Sequence, residues 1–294
     1  MSPWFEALLR WTHVVAGLLW VGQAYFLTFV EAQVARAGNV DASRTLPGET
    51  RLRALNWARW GAVYTWISGL LLVGAVYYST LDQLVRREIR FTFKYGLTTE
   101  FTLATNEPVV SQATGVLISL ALIGAAFLVY EALWKLLRRF ERVAAAASLA
   151  VFAVALFLLG RVFTGRAVFI HAGAILGTIM AMNVWTRIWP AQKKAVQVAR
   201  GLAPTLETSV SALAAQRSKH NAYLSVPVLF AMISNHYPAI YDQRHGWAIM
   251  VAVVLVGWAI AWWLYGRSSR AAPARYGAPA GISPSTAHAA DAKA

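Results

Sequence analysis

The sequence predicts an all-α membrane helix bundle of about seven transmembrane helices, with the N-terminus outside and the C-terminus inside. Three observations carry this. The 294 residues are 58% hydrophobic and only 14% charged, where a soluble domain carries about 25% charged residues. The mean hydropathy is +0.48. Seven apolar segments approach the about 17–25 residues that a membrane-spanning helix needs.

These segments run over residues 5–29, 58–79, 112–136, 143–164, 167–189, 221–237 and 246–265. The first lacks an Ala-x-Ala-like exit and continues into a charged loop, so it reads as a true span rather than a cleaved signal peptide. The second opens with Trp57, Trp60 and Trp66, which fit an interfacial aromatic belt. The third ends in Tyr130-Glu131-Ala132-Leu133-Trp134-Lys135, where Glu131 is expected to pair with Lys135 at i+4. The fourth and fifth meet at a tight turn around Gly165-Arg166. The sixth is short and contains Pro227, so it should kink or tilt. The seventh is uninterrupted.

Between the spans, residues 30–57 form an Arg-rich loop. Residues 80–111 alternate Phe91, Phe93 and Tyr95, which predicts a short hairpin. Residues 190–219 are polar and predict a partly helical loop. Residues 1–266 form one transmembrane domain. Residues 267–294, rich in Ala, Pro, Gly and Ser, are expected to be a disordered tail.

Most of the 27 Lys and Arg residues fall in 30–59, 135–142, 187–219 and after 266, which sets the orientation. Topology and anionic membrane lipid account for the net charge of +14. With no nucleic-acid-binding motif, nucleic acid is not an expected partner. The absence of cysteine excludes disulfides, cysteine-held iron–sulfur clusters and covalent c-type haem. No phosphate-cradling glycine loop, Ser-His-Asp arrangement or His-Glu-x-x-His motif is present, so nothing points to hydrolysis or nucleotide use.

His13 and His171 lie inside apolar spans at similar depth. An ionisable group there is a functional-site hypothesis by default. One reading makes them axial ligands of a haem b iron between membrane helices, with His236 as an alternative ligand. Gly17 and Gly173 would admit the macrocycle, and Arg161 and Arg166 would pair with its propionates. The other reading is structural: each histidine donates a hydrogen bond to a neighbouring helix and holds the bundle together. Asn235, His236 and Tyr237 form a third cluster, readable as catalytic residues, as a substrate or quinone pocket, or as a helix cap. Asn183, Ser68 and Thr178 are further polar residues inside spans.

At these residues the chain resembles the membrane domain of the PuuD-type urate hydroxylases, bacterial proteins that join a multi-span domain to a C-terminal cytochrome c. The resemblance runs through Arg10 to Gly22, Trp57 to Tyr78, Phe169 to Met180, and His220 to Pro238. It implies oxidation of urate to 5-hydroxyisourate, with electrons passed to a cytochrome c and a respiratory chain in the bacterial inner membrane. It does not say which residues bind urate. The chain departs from the family pattern in three ways. It ends without a cytochrome c domain, which implies a separate electron acceptor. The first loop is short and lacks the family's His-Gly-Gly-Gly-like segment, and the loop at 80–111 is longer. Two other classes remain open: a non-catalytic haem b subunit carrying electrons between a quinone and a cytochrome, and a cofactor-free transporter or structural subunit.

Overall fold

The computed structural model describes residues 2–32, 48–93, 101–203, 205 and 207–270. Its helices are α1 (Pro3–Tyr25), α2 (Gly48–Val73), α3 (Leu81–Leu84), α4 (Gln112–Leu136), α5 (Glu141–Val162), α6 (Gly165–Asn183), α7 (Trp189–Ala199), α8 (Thr208–Ile233), α9 (Pro238–Tyr241) and α10 (Gly246–Arg270). The expected hairpin is present as β1 (Arg87–Phe93) and β2 (Phe101–Pro108), paired antiparallel. Its base is stitched to the turn between α5 and α6, because Arg86 N donates to Val162 O and Thr164 N donates to Leu84 O.

Among the described residues, six helices are long and apolar enough to cross a membrane, where the sequence predicts about seven. The difference is the sixth expected span. It begins earlier than expected and forms the 26-residue α8, whose first half carries Gln216, Arg217, Lys219 and His220. That polarity keeps its hydropathy low, yet α8 packs against α6 and α10 at the heart of the bundle. Arg217, His220 and Asn221 find their partners on other helices, while Lys219 is exposed. Of the tail expected at 267–294, residues 267–270 continue α10; the rest, and Tyr95 of the hairpin, fall outside the described residues.

Helix α6 is the axis of the fold. It touches α2, α4, α5, α8 and α10, and 78% of its most apolar 18-residue stretch is buried. Its start is fixed by Thr164, whose hydroxyl accepts from Ala167 N at the N-cap. Ser111 caps α4 in the same way through Thr114 N. Between α6 and α7 the chain makes a π-turn over Val184–Ile188. Pro190 supplies the cause, since it has no N–H to offer the carbonyl one turn back. Helix α1 lies at the periphery against α2, with Trp11 and Leu18 facing outward. Pro227 sits inside α8, and Gly257 of α10 lies against it. A Cβ at Gly257 would stand 2.7 Å from Pro227 Cδ, so only glycine allows that approach.

Candidate functional site

Two polar layers interrupt the apolar bundle. They are read most easily along α6, where His171 and Asn183 lie about 18 Å apart at 1.5 Å per residue.

The first layer lies near the hairpin. His171 is fully buried. Its Nδ1–H donates to Ala167 O at 2.7 Å, which leaves Nε2 as the acceptor. Ser119 of α4 fills that position at 2.5 Å, and Tyr78 donates in turn to Ser119 Oγ. Beside this chain, Tyr77 donates to Asn235 Oδ1 at 2.7 Å. Arg166 Nε donates to the same oxygen at 3.1 Å, and its Nη1 reaches Gln83 Oε1 at 3.2 Å. With Oδ1 receiving two donors, the amide orientation of Asn235 is fixed, and its Nδ2 is buried without a partner among the described residues. A π-turn over Gly74–Tyr78 carries Tyr77 and Tyr78 into adjoining parts of this layer.

The expected cluster Asn235, His236 and Tyr237 is therefore divided. Asn235 turns inward onto Arg166 and Tyr77, while His236 and Tyr237 are exposed. Arg161 is also exposed, apart from the Arg166 group.

His13 belongs to a different interface. Its Nδ1–H donates to Thr65 O at 2.9 Å on α2, and its ring closes on Gly69, where a Cβ would stand 3.0 Å from Cε1. Gly17 faces Thr65 on the same α1–α2 seam. His13 thus hydrogen-bonds to a neighbouring helix, the geometry that its structural reading requires.

These side chains do not fit a haem held by His13 and His171. The lone pair that iron would need on His171 Nε2 is taken by the Ser119 hydroxyl. A Cβ at Gly173 would lie 2.6 Å from Met232 Cε, so the small residue serves helix packing and leaves no slot for a macrocycle. His13 faces α2 and His171 faces α4. His236, the alternative ligand, is exposed on the turn after α8. Among the described residues no group of three or more His, Cys, Asp or Glu is placed to hold a metal ion.

The second layer lies at the other end of α6. Glu131 accepts from Arg187 Nη2 at 2.7 Å and from Arg217 Nη2 at 3.0 Å. This corrects the expected pair with Lys135, which is exposed. Arg217 is 2% exposed and also donates to Tyr130 OH at 2.9 Å. Tyr130 reaches His220 Nδ1 at 2.6 Å, and Asn183 donates to Asn221 Oδ1 at 3.0 Å. Asn183 contributes to this layer from the last position of α6 and Arg187 from within the π-turn. The sequence places Arg187 at the end of the fifth span and Arg217 in the 190–219 loop. The available signal was charge recurring at helical spacing beside Asn183 and Asn221.

The family model described as urate oxidase N-terminal matches residues 46–282. The match covers every member of both polar layers and leaves α1, with His13, outside. Comparison with curated proteins and with solved structures finds no match. A match over most of the chain, on a fold with six membrane-length helices, identifies the protein as a membrane member of the urate oxidase N-terminal family.

Proposed function

We propose that the chain is a membrane oxidoreductase that converts urate to 5-hydroxyisourate. The electrons would go to a cytochrome c or another respiratory component in a bacterial cytoplasmic membrane. Urate and one water give 5-hydroxyisourate, two protons and two electrons, and the electrons reduce the acceptor. The observation that carries the site is the unpartnered Asn235 Nδ2 beside Arg166. Urate is an anion at neutral pH with ring carbonyls. It needs a cation and a fixed donor, and a buried donor left unpaired is costly until an acceptor arrives.

In this reading Arg166 binds the anion, and its planar guanidinium suits a planar, delocalised charge. Asn235 donates to a ring carbonyl. Tyr77 holds the Asn235 amide so that Nδ2 stays aimed outward from the pair. Gln83 holds the far side of Arg166. Pre-organisation of this kind reduces the ordering that binding would otherwise require.

The test is urate consumption by detergent-purified protein, with ferricyanide and with cytochrome c as acceptors. Wild type should consume urate, and Asn235→Ala and Arg166→Ala should each slow it about tenfold or more. Wild type that neither binds nor consumes urate with either acceptor would overturn the reading.

A further inference from the structure

A cavity of about 390 Å³ lies between α4, α5, α6, α8 and α10, away from Arg166 and Asn235. That volume is in the range of small-molecule sites, roughly 300–1,000 Å³. Its wall is aromatic and aliphatic, with Trp134, Phe152 and Val254 among the lining residues. Val129 and Val151, 44% and 45% exposed, line it and face outward from α4 and α5. The opening is therefore on the lipid-facing side, and an occupant would arrive from the bilayer.

Two polar groups on this wall are unspent. Trp258 Nε1–H is buried and has no acceptor among the described residues. The second is His220. Arg217 Nη1 faces both Tyr130 OH and His220 Nδ1, and a guanidinium can only donate. Nδ1 is therefore the accepting nitrogen, and the ring proton sits on Nε2. The His220 ring is held against Trp134 at 4.1 Å between centroids, so this donor is fixed in place. The contact of Gly257 with Val226 and Pro227 puts Trp258 near the level of Val226. His220 is then about 9 Å further along the bundle axis.

We propose that this cavity binds a lipid-soluble cyclic dicarbonyl of the quinone class, with His220 Nε2–H and Trp258 Nε1–H donating to carbonyls on opposite sides of the ring. An apolar wall with two separated donors suits a flat, uncharged molecule carrying two acceptors. A fatty acid would set its one carboxylate beside Arg142 and Lys219 at the rim and place nothing opposite Trp258. The binding site rests on geometry alone. Its use as an exit for electrons rests on the redox reading above.

The test is calorimetric titration of the detergent-purified full chain with decylubiquinone, with oleate as competitor. Saturable binding of one molecule is expected. Trp258→Phe, which keeps the ring and removes the N–H, and Val151→Trp, which fills the mouth from the lipid side, should each weaken it about five- to tenfold. Urate consumption with ferricyanide should be unchanged in both variants, so this inference and the urate reading fail separately. Absence of saturable binding to wild type, wild-type affinity in both variants, or displacement by oleate with Trp258→Phe indifferent would each overturn the quinone-class site.

Discussion

His171 and Asn183 sit on one helix, yet the polar groups at their two levels meet burial by opposite means. Around Asn183 the layer is ionic. One carboxylate, Glu131, holds two guanidinium groups, one of them almost completely buried. Around His171 the groups are neutral and run as a hydrogen-bonded chain, with the cation Arg166 half-buried at its edge. The ionic layer is enclosed by α4, α6 and α8 and ties them together. The neutral layer ends in an unpaired amide donor beside an accessible cation. Charge magnitude alone would pick the ionic layer, whereas the urate site proposed above rests on the donor left unpaired at Asn235.

The largest effect should come from breaking the ionic layer. Glu131→Ala leaves Arg217 buried without its counter-charge, and removing one partner of a buried pair costs about 3–5 kcal/mol. Thermal unfolding in detergent should show that loss, whereas Lys135→Ala should leave the transition in place. Equal sensitivity at both positions would restore the local i+4 pairing and dissolve the contrast between the layers.

Asn235→Asp separates structure from function at the other end. The carboxylate can still accept from Tyr77 and Arg166, so the fold should be retained. It also presents negative charge to an anionic substrate, and like-charge juxtaposition costs several kcal/mol. Urate turnover should fall about a hundredfold or more with the unfolding transition unchanged. Retained turnover would remove Asn235 from the site.

Much of this was legible in the sequence, and the limits have physical causes. Membrane-length helices follow from apolar runs, and the hairpin followed from the alternation of Phe91 and Phe93. The start of α8 was misplaced because hydropathy assumes that polar residues prefer water, while Arg217, His220 and Asn221 find their partners inside the protein. Glu131 was assigned to Lys135 because local spacing is visible in a sequence. Its actual partners lie 56 and 86 residues away. The sequence groups Asn235 with His236 and Tyr237, and only the folded turn shows that Asn235 turns inward while the other two are exposed.

Within the neutral layer, Ser119→Ala leaves His171 Nε2 buried without a donor. An unsatisfied buried acceptor costs about 1–3 kcal/mol, and the unfolding transition should fall accordingly. Ser119→Thr, which keeps the hydroxyl, should recover part of the loss. If both substitutions are neutral, the chain from Tyr78 to His171 does not support the bundle.

The smallest effect is expected at His13, which makes its contact to Thr65 O on a peripheral helix seam. His13→Leu should cost about 0.5–1.5 kcal/mol, the net worth of one hydrogen bond, and less than Ser119→Ala. The same variant sharpens the difference between the two histidines that the sequence set side by side. If they shared an iron, replacing either would abolish the same absorption band in protein purified from haem-supplied cells. The geometry gives them separate neighbours, Thr65 for one and Ser119 for the other. The expected outcome is therefore that His13→Leu and His171→Leu differ in stability and share no spectroscopic loss. A Soret band present in wild type and absent from both variants would show that helices α1, α4 and α6 rearrange to bring the two imidazoles together.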